Sequence, residues 1–292
     1  MNWQNDLFLG ADHLDQASVW IRYDDEVSGT IDYAEDSRDN LAVFAQHQWS
    51  PGAFDLQAAV RHDDNEAYGG ETTGSLATGY DFAPALHGYA SWGTAFKAPT
   101  FNDLYYPDTG FFKGNPELDP ERSRSLEAGL RGGRDWRWRF AAFHTEVDDL
   151  IAYDAGAAAS VNVNEARIRG LEGEISTRLA GIDTRLAATW LDTEDRDTGN
   201  ELPRRPEFSA TLGLSRDFGR ATLGTEVHYG GERYDDLANT TELDSYTVVD
   251  ATAAWRINDE WTLRGRLEQP PRRGLPDGGH LRDARPRRAR VH

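Results

Sequence analysis

The chain has 292 residues, 50 acidic and 31 basic, for a net charge of −19, with no cysteine and a single methionine, Met1. The absence of cysteine removes disulfides, thiolate metal sites and cysteine nucleophiles. The acidic balance argues against a nucleic-acid partner, whose phosphates require clustered Lys and Arg. No run of about 18 apolar residues exists to cross a bilayer as a helix, but a membrane β-barrel alternates lipid-facing and lumen-facing residues and keeps an ordinary mean hydropathy.

The first residues, Met1-Asn2-Trp3-Gln4, read as the start of a strand, without the charged and apolar regions of a signal peptide. From there short turns are predicted near Gly10–His13, Ser50–Ala53, Ala83–Ala85, Gly132–Asp135, Ala180–Asp183, Asp217–Arg220 and Asn258–Glu260. Long polar connections lie between them, at Asp24–Asp39, Asp63–Glu71, Lys97–Glu121, Asp154–Glu165, Asp192–Pro203 and Gly231–Asp244. Seven short turns imply about fourteen strands.

Period-two alternation fills the intervals. Trp136, Trp138 and Phe140 alternate with Arg137 and Arg139. Leu171, Gly173, Ile175, Thr177 and Leu179 share a face, as do Phe208, Ala210, Leu212 and Leu214, and then Trp261, Leu263, Gly265 and Leu267. Long helical patterns are absent. Strict alternation of short and long loops is the rhythm of an up-and-down barrel in a membrane, whereas a soluble sandwich mixes its loop lengths. Trp49, Trp92, Trp190, Trp255 and Trp261 fall near predicted strand ends, where aromatic girdles meet the bilayer interfaces. The expected fold is all-β, an antiparallel transmembrane β-barrel.

Tyr89-Ala90-Ser91-Trp92-Gly93-Thr94-Ala95-Phe96-Lys97-Ala98-Pro99-Thr100 is followed by Asn102-Asp103-Leu104-Tyr105 and then Gly114-Asn115-Pro116-Glu117-Leu118-Asp119-Pro120-Glu121. This succession resembles the receptor barrels of TonB-dependent outer-membrane transporters. Val147-Asp148-Asp149-Leu150-Ile151 and Asn164-Glu165-Ala166-Arg167-Ile168-Arg169-Gly170-Leu171-Glu172 extend the resemblance. Asp63-Asp64-Asn65, Leu202-Pro203-Arg204-Arg205 and Gly231-Glu232-Arg233-Tyr234-Asp235 are similar to the cobalamin-receptor branch. The likeness covers residues 1–268 and implies the last fourteen or so strands of a 22-stranded barrel, hence an open or incomplete barrel in this chain. It also implies an outer-membrane location in a Gram-negative bacterium and a corrinoid or metal-chelate substrate. Energy would reach the transporter from the TonB complex through an N-terminal box and plug that have no counterpart here.

Residues 269–292 depart from the pattern. They hold seven arginines, two acids and four prolines, so residues 1–268 carry 24 basic and 48 acidic groups. This segment is expected to be an irregular basic tail, read as an out-of-frame extension in place of a closing strand; the alternative is a genuine tail for anionic lipid.

Acidic clusters at Asp63–Glu66, Asp192–Asp197 and Asp235-Asp236 offer hard oxygen ligands, but none has the spacing of a calcium loop, and they read as solvated loop acid. No nucleophile elbow, His-Glu-x-x-His or phosphate loop is present. His144 and His228 read as lumen-facing histidines, and neither an enzyme activity nor a cofactor is expected. The resemblance points to Arg204 as the substrate contact, because an exposed guanidinium can donate several hydrogen bonds to corrinoid amides or phosphate. The bland reading is an arginine at a strand start pairing with loop acid. A second contact implied by the resemblance, a tyrosine, is replaced by Ala238. Two alternatives share the architecture: a siderophore receptor and a passive porin-like pore.

Overall fold

A computed structural model describes the backbone of residues 2–8, 13–26, 31–154 and 156–268, and the side chains of 31–268 apart from 155, 163 and 164. The turn expected around residues 10–12, the middle of the first long connection and the basic tail at 269–292 lie outside the described residues.

Fourteen strands form one antiparallel sheet. They are β1 (Asn2–Phe8), β2 (His13–Glu26), β3 (Ser37–Trp49), β4 (Phe54–Asn65), β5 (Gly69–Ala83), β6 (Leu86–Lys97), β7 (Glu121–Gly132), β8 (Trp136–Asp154), β9 (Ala159–Leu179), β10 (Ile182–Asp195), β11 (Phe208–Asp217), β12 (Ala221–Gly230), β15 (Tyr246–Arg256) and β16 (Thr262–Glu268). Each sequential neighbour pairs with the next, so the order has no crossover, and among the described residues β1 and β16 do not pair with each other. The connection after β12 carries its own two-stranded ribbon, β13 (Arg233–Tyr234) with β14 (Glu242–Leu243). A short helix, α1 (Phe101–Tyr105), lies in the connection after β6.

The loop rhythm holds with two corrections. The connection expected at Asp154–Glu165 is a tight turn, and β9 already begins at Ala159. The one expected at Asp63–Glu71 closes within residues 66–68. In both places the alternation continues through small and polar residues, and their low hydrophobicity hid the strand from a pattern search that tracks apolar faces. The tryptophans are also more dispersed than expected. Trp49 ends β3 and Trp255 is next to last in β15, but Trp92 sits inside β6, opposite Leu76.

The chain divides into two compact units, one of residues 1–130, 141–170 and 192–202, the other of residues 131–140, 171–191 and 203–292. In the second unit the register separates two faces. Leu186, Leu212, Val227 and Val249 stand opposite one another across four strands. One residue along, Arg185, Gly213, Glu226, Asp250 and Glu268 form the neighbouring row on the other face. The apolar face is exposed: Phe140, Leu171, Leu186, Leu223 and Leu263 are about half exposed. A soluble protein would bury such a face, so the arrangement fits a hydrocarbon solvent.

Aromatic residues bracket that face. Trp190 stands opposite Phe208, which lies 6.1 Å from Tyr229, and Ala221 at the other end of β12 stands opposite Trp255. Eight residues of strand separate the two levels, about 26 Å along the strand, or roughly 20 Å after a barrel-like tilt. That is close to the roughly 25 Å apolar band of outer-membrane barrels.

The first unit shows the same two faces. Ala58, Leu76 and Trp92 align on one and Ala42, Asp63 and Glu71 on the other. Here, however, the polar row is buried: Asp63 and Glu71 are 3% and 7% exposed. The Arg61 guanidinium and the Asn40 amide both donate to Asp63, and Arg122 donates to Glu71. This satisfies the desolvated carboxylates.

Candidate ligand-binding site

The long connections organise the site. Between β6 and β7 the chain must reverse over more than twenty residues, and α1 anchors it. Thr100 caps the helix: its hydroxyl accepts from the Asp103 amide while the Asp103 carboxylate accepts from the Thr100 amide, satisfying donors that a helix start leaves free. Phe101 and Leu104 are buried beneath it. Arg38 donates to the Pro99 carbonyl at 2.8 Å and lies 4.8 Å over the Phe101 ring. Ser160 donates to Asp103 at 2.7 Å, and Asn115 closes the circuit by donating to the Ser160 carbonyl. Gly114 is required where it stands, because a Cβ there would lie 2.4 Å from the Leu104 carbonyl oxygen. The motif residues around Lys97–Thr100 and Gly114–Pro116 are therefore a clasp, and Lys97 pairs with Glu121 at 3.1 Å across its base.

On this clasp rides a chain of rings. Tyr33 to Tyr106, Tyr106 to Phe112 and Phe112 to Tyr153 are spaced by 6.0, 5.5 and 6.0 Å. Phe111 stands beside them 85% exposed. Sequence reasoning missed this platform; the doubled aromatics Tyr105-Tyr106 and Phe111-Phe112 in a polar loop were the available signal.

Val147 and Leu150 are both buried with Ala166 and Leu202. Residues three apart in a strand normally face opposite ways. Asp149, at φ 58°, breaks the alternation and turns Leu150 inward, and its carbonyl accepts from the Asn162 amide at 2.7 Å.

Arg204 lies in the connection between β10 and β11. Its backbone is left-handed, φ 60°, and its N–H donates to the Tyr234 carbonyl at 2.7 Å. The side chain is 74% exposed, and its Nε donates to Asp235 at 2.7 Å. Arg204 and the Gly231–Asp235 motif, about 30 residues apart in sequence, are thus joined. Ala238 lies in the turn of the same ribbon. Asp236 accepts from the amides of Thr240 and Thr241. Those donors, the Thr240 amide foremost, hold its carboxyl down to about 2.

The acidic clusters are tied mainly to cations and backbone amides. Asp192 pairs with Arg169, Glu194 with Arg167, and Asp195 accepts from the amides of Asp197 and Thr198. His144 lies 3.5 Å from Glu146, and His228 lies between Thr211 and Tyr246.

Residues 1–268 match the family described as TonB dependent receptor-like, beta-barrel. The chain belongs to the TonB-dependent receptor family. It is 37% identical over 275 residues to the vitamin B12 transporter BtuB of Photobacterium profundum, covering 91% of this chain and 45% of that protein. It is 32% identical to the vitamin B12 transporter BtuB of Vibrio vulnificus, covering 82% and 39%. The chain thus spans less than half the length of these relatives. Among solved structures, the siderophore receptor PirA of Pseudomonas aeruginosa superposes with a TM-score of 0.72 at 16% identity, covering 91% of this chain and 50% of that one. The copper transporter OprC gives 0.72 at 18% identity, covering 91% and 49%. At that identity the TonB-dependent receptor structures establish the barrel fold alone.

Proposed function

We propose that this chain is the barrel wall of a Gram-negative outer-membrane transporter that imports a corrinoid, and that it is not an enzyme. The observation that carries this reading is the 37% identity to a vitamin B12 transporter along 91% of the chain. In this reading residues 1–268 are the barrel portion and 269–292 a basic appendage. The aromatic levels sit at the lipid interfaces, and the TonB complex acts through the transporter's N-terminal region. The ligand in this reading is large and partly apolar. Arg204, turned out to solvent with one donor on Asp235, supplies charged hydrogen bonds to its amide or phosphate oxygens. The tyrosine replaced by Ala238 removes one contact, so Arg204 carries more of the recognition.

Equilibrium binding to the protein in detergent tests this, with cyanocobalamin and a ferric catecholate siderophore as probes. We expect saturable cyanocobalamin binding that Arg204→Ala weakens. Retention of the siderophore alone would replace the corrinoid with an iron chelate. Retention of neither, with ion conductance in a planar bilayer, would make the chain a passive pore.

A further inference from the structure

The polar face of β11, β12 and β15 carries a group of donors with no role so far. Thr211 stands opposite His228, and Gly230 opposite Tyr246. His228 Nδ1 lies 3.0 Å from Thr211 Oγ1, and Nε2 lies 3.4 Å from Tyr246 Oη. The Tyr246 ring lies across Gly230, where a Cβ would come within 2.4 Å of it; any side chain there would displace the phenol. The guanidinium of Arg233 lies 4.9 Å over the same ring.

Arg233 differs from the arginines around it. Arg204 is paired with Asp235, Arg185 with Glu174 and Arg266 with Asp250. Among the described residues Arg233 has no carboxylate partner. Its Nη1 makes two long contacts, to the carbonyls of Gly231 at 3.5 Å and Asp244 at 3.4 Å. Nε and Nη2 are left for a ligand. In so acidic a chain this is a cation positioned by a π face rather than neutralised by a carboxylate.

We propose that Arg233, Tyr246 and His228 form a phosphate subsite on the barrel wall. The inference rests on the transporter reading and deepens it: for a corrinoid, the bound group is the phosphodiester of its nucleotide arm. The planar guanidinium presents two N–H bonds to two anionic oxygens. With its proton on Nε2, His228 donates to Tyr246 Oη and accepts from the Thr211 hydroxyl at Nδ1, which frees the phenol hydrogen for a third oxygen. Glu226, two residues along β12 on the same face, bounds the patch by repulsion and keeps the anion at the Arg233 end.

Free phosphate and a ligand-borne phosphodiester share this chemistry, so two measurements separate them. In the first, the full chain in a phosphate-free detergent is titrated into inorganic phosphate and the phosphorus-31 linewidth is followed. Wild type and the Arg266→Gln control should broaden the line, Arg233→Gln should not, and Tyr246→Phe, which keeps the ring in place, should broaden it less. Equal broadening by wild type and Arg233→Gln, loss in Arg266→Gln as well, or no broadening by wild type would each overturn the subsite. In the second, cyanocobalamin is compared with dicyanocobinamide, a corrinoid without the phosphate. Arg233→Gln should weaken cyanocobalamin about tenfold, the loss of one charged hydrogen bond, and dicyanocobinamide less than about twofold. Equal weakening of both corrinoids would sink the subsite and leave the corrinoid reading standing. Phosphate broadening by wild type without binding of either corrinoid would do the reverse.

Discussion

The connection between β6 and β7 and the strands β15 and β16 are extremes of burial in one sheet protein. In the connection Phe101, Leu104, Leu118, Pro99 and Pro120 are buried, and the cap, the Arg38 contacts and the Ser160–Asn115 circuit leave little backbone unpartnered. Every residue of β16, the edge strand of the described sheet, is exposed, with Leu267 of the apolar face at 70%. Loops of soluble proteins are ordinarily the exposed parts and strands the buried ones. The reversal teaches where each solvent is. A strand whose apolar side meets hydrocarbon needs no protein core, whereas a long connection that meets water must build a small core of its own.

The sharpest test compares the two kinds of leucine. Leu202, 1% exposed in the cluster with Val147, Leu150 and Ala166, should lose about 2–5 kcal/mol on Leu202→Ala, since a cavity remains. Leu267→Ala should lose about 1 kcal/mol or less. Urea-dependent refolding into vesicles measures both, and equal losses would break the contrast.

Next in size is the lipid face. Leu212→Arg, in the apolar row, should cost about 2–4 kcal/mol near the midplane, and Ser215→Arg, on the polar face, about 0.5 kcal/mol or less. The same refolding assay reads them, and comparable costs would reverse the assignment of faces. Thr211 is unsuitable as the mild control, because its hydroxyl meets His228.

A smaller effect separates ligand recognition from loop pairing at Arg204. Arg204→Ala should weaken corrinoid binding by about 1–3 kcal/mol, while Asp235→Asn, which releases the guanidinium, should not. If the two variants weaken cyanocobalamin alike in equilibrium dialysis, Arg204 serves only to hold Asp235.

The clasp itself can be loosened. Thr100→Ala removes a cap worth about 0.5–2 kcal/mol. It should speed proteolysis within residues 97–121 and leave strand protection in hydrogen exchange unchanged.

The smallest effect concerns pH. Asp236 has its carboxyl held at about 2 against a usual 3.8. Its hold on Thr240 and Thr241 is complete above about pH 4 and is lost as pH falls toward about 2. The amide shifts of Thr240 and Thr241 should titrate in that window, and a transition centred near the ordinary aspartate value would remove the proposed anchoring.

Much of this was legible beforehand. Alternation in Trp136–Phe140, Leu171–Leu179 and Phe208–Leu214 named the faces, because each residue's side of a strand follows from its parity alone. The motif at Lys97–Thr100 carried the family resemblance, but the connection read as a long polar loop, because its helix was too short for any periodic signal. The tight turns at 66–68 and 156–158 were not legible, since strand continued through Asp63–Asn65 and Ser160–Asn162 without an apolar face. Arg204 was singled out by resemblance, with pairing to an unspecified loop acid as the other open reading; that the acid is Asp235 was not legible.

What the sequence determined by itself is the strand, its two faces and the order of neighbours, because these depend on a two-residue period and on short turns that pair consecutive segments. Only the tertiary structure decided which distant groups converge: Tyr33 with Tyr106 and Tyr153, Asp103 with Ser160, Arg233 with Tyr246 and His228. Those meetings depend on strand register and on how long connections fold back. A shift of one residue, or a left-handed residue inside a strand such as Asp149, sends a side chain to the opposite face, and no local pattern records it.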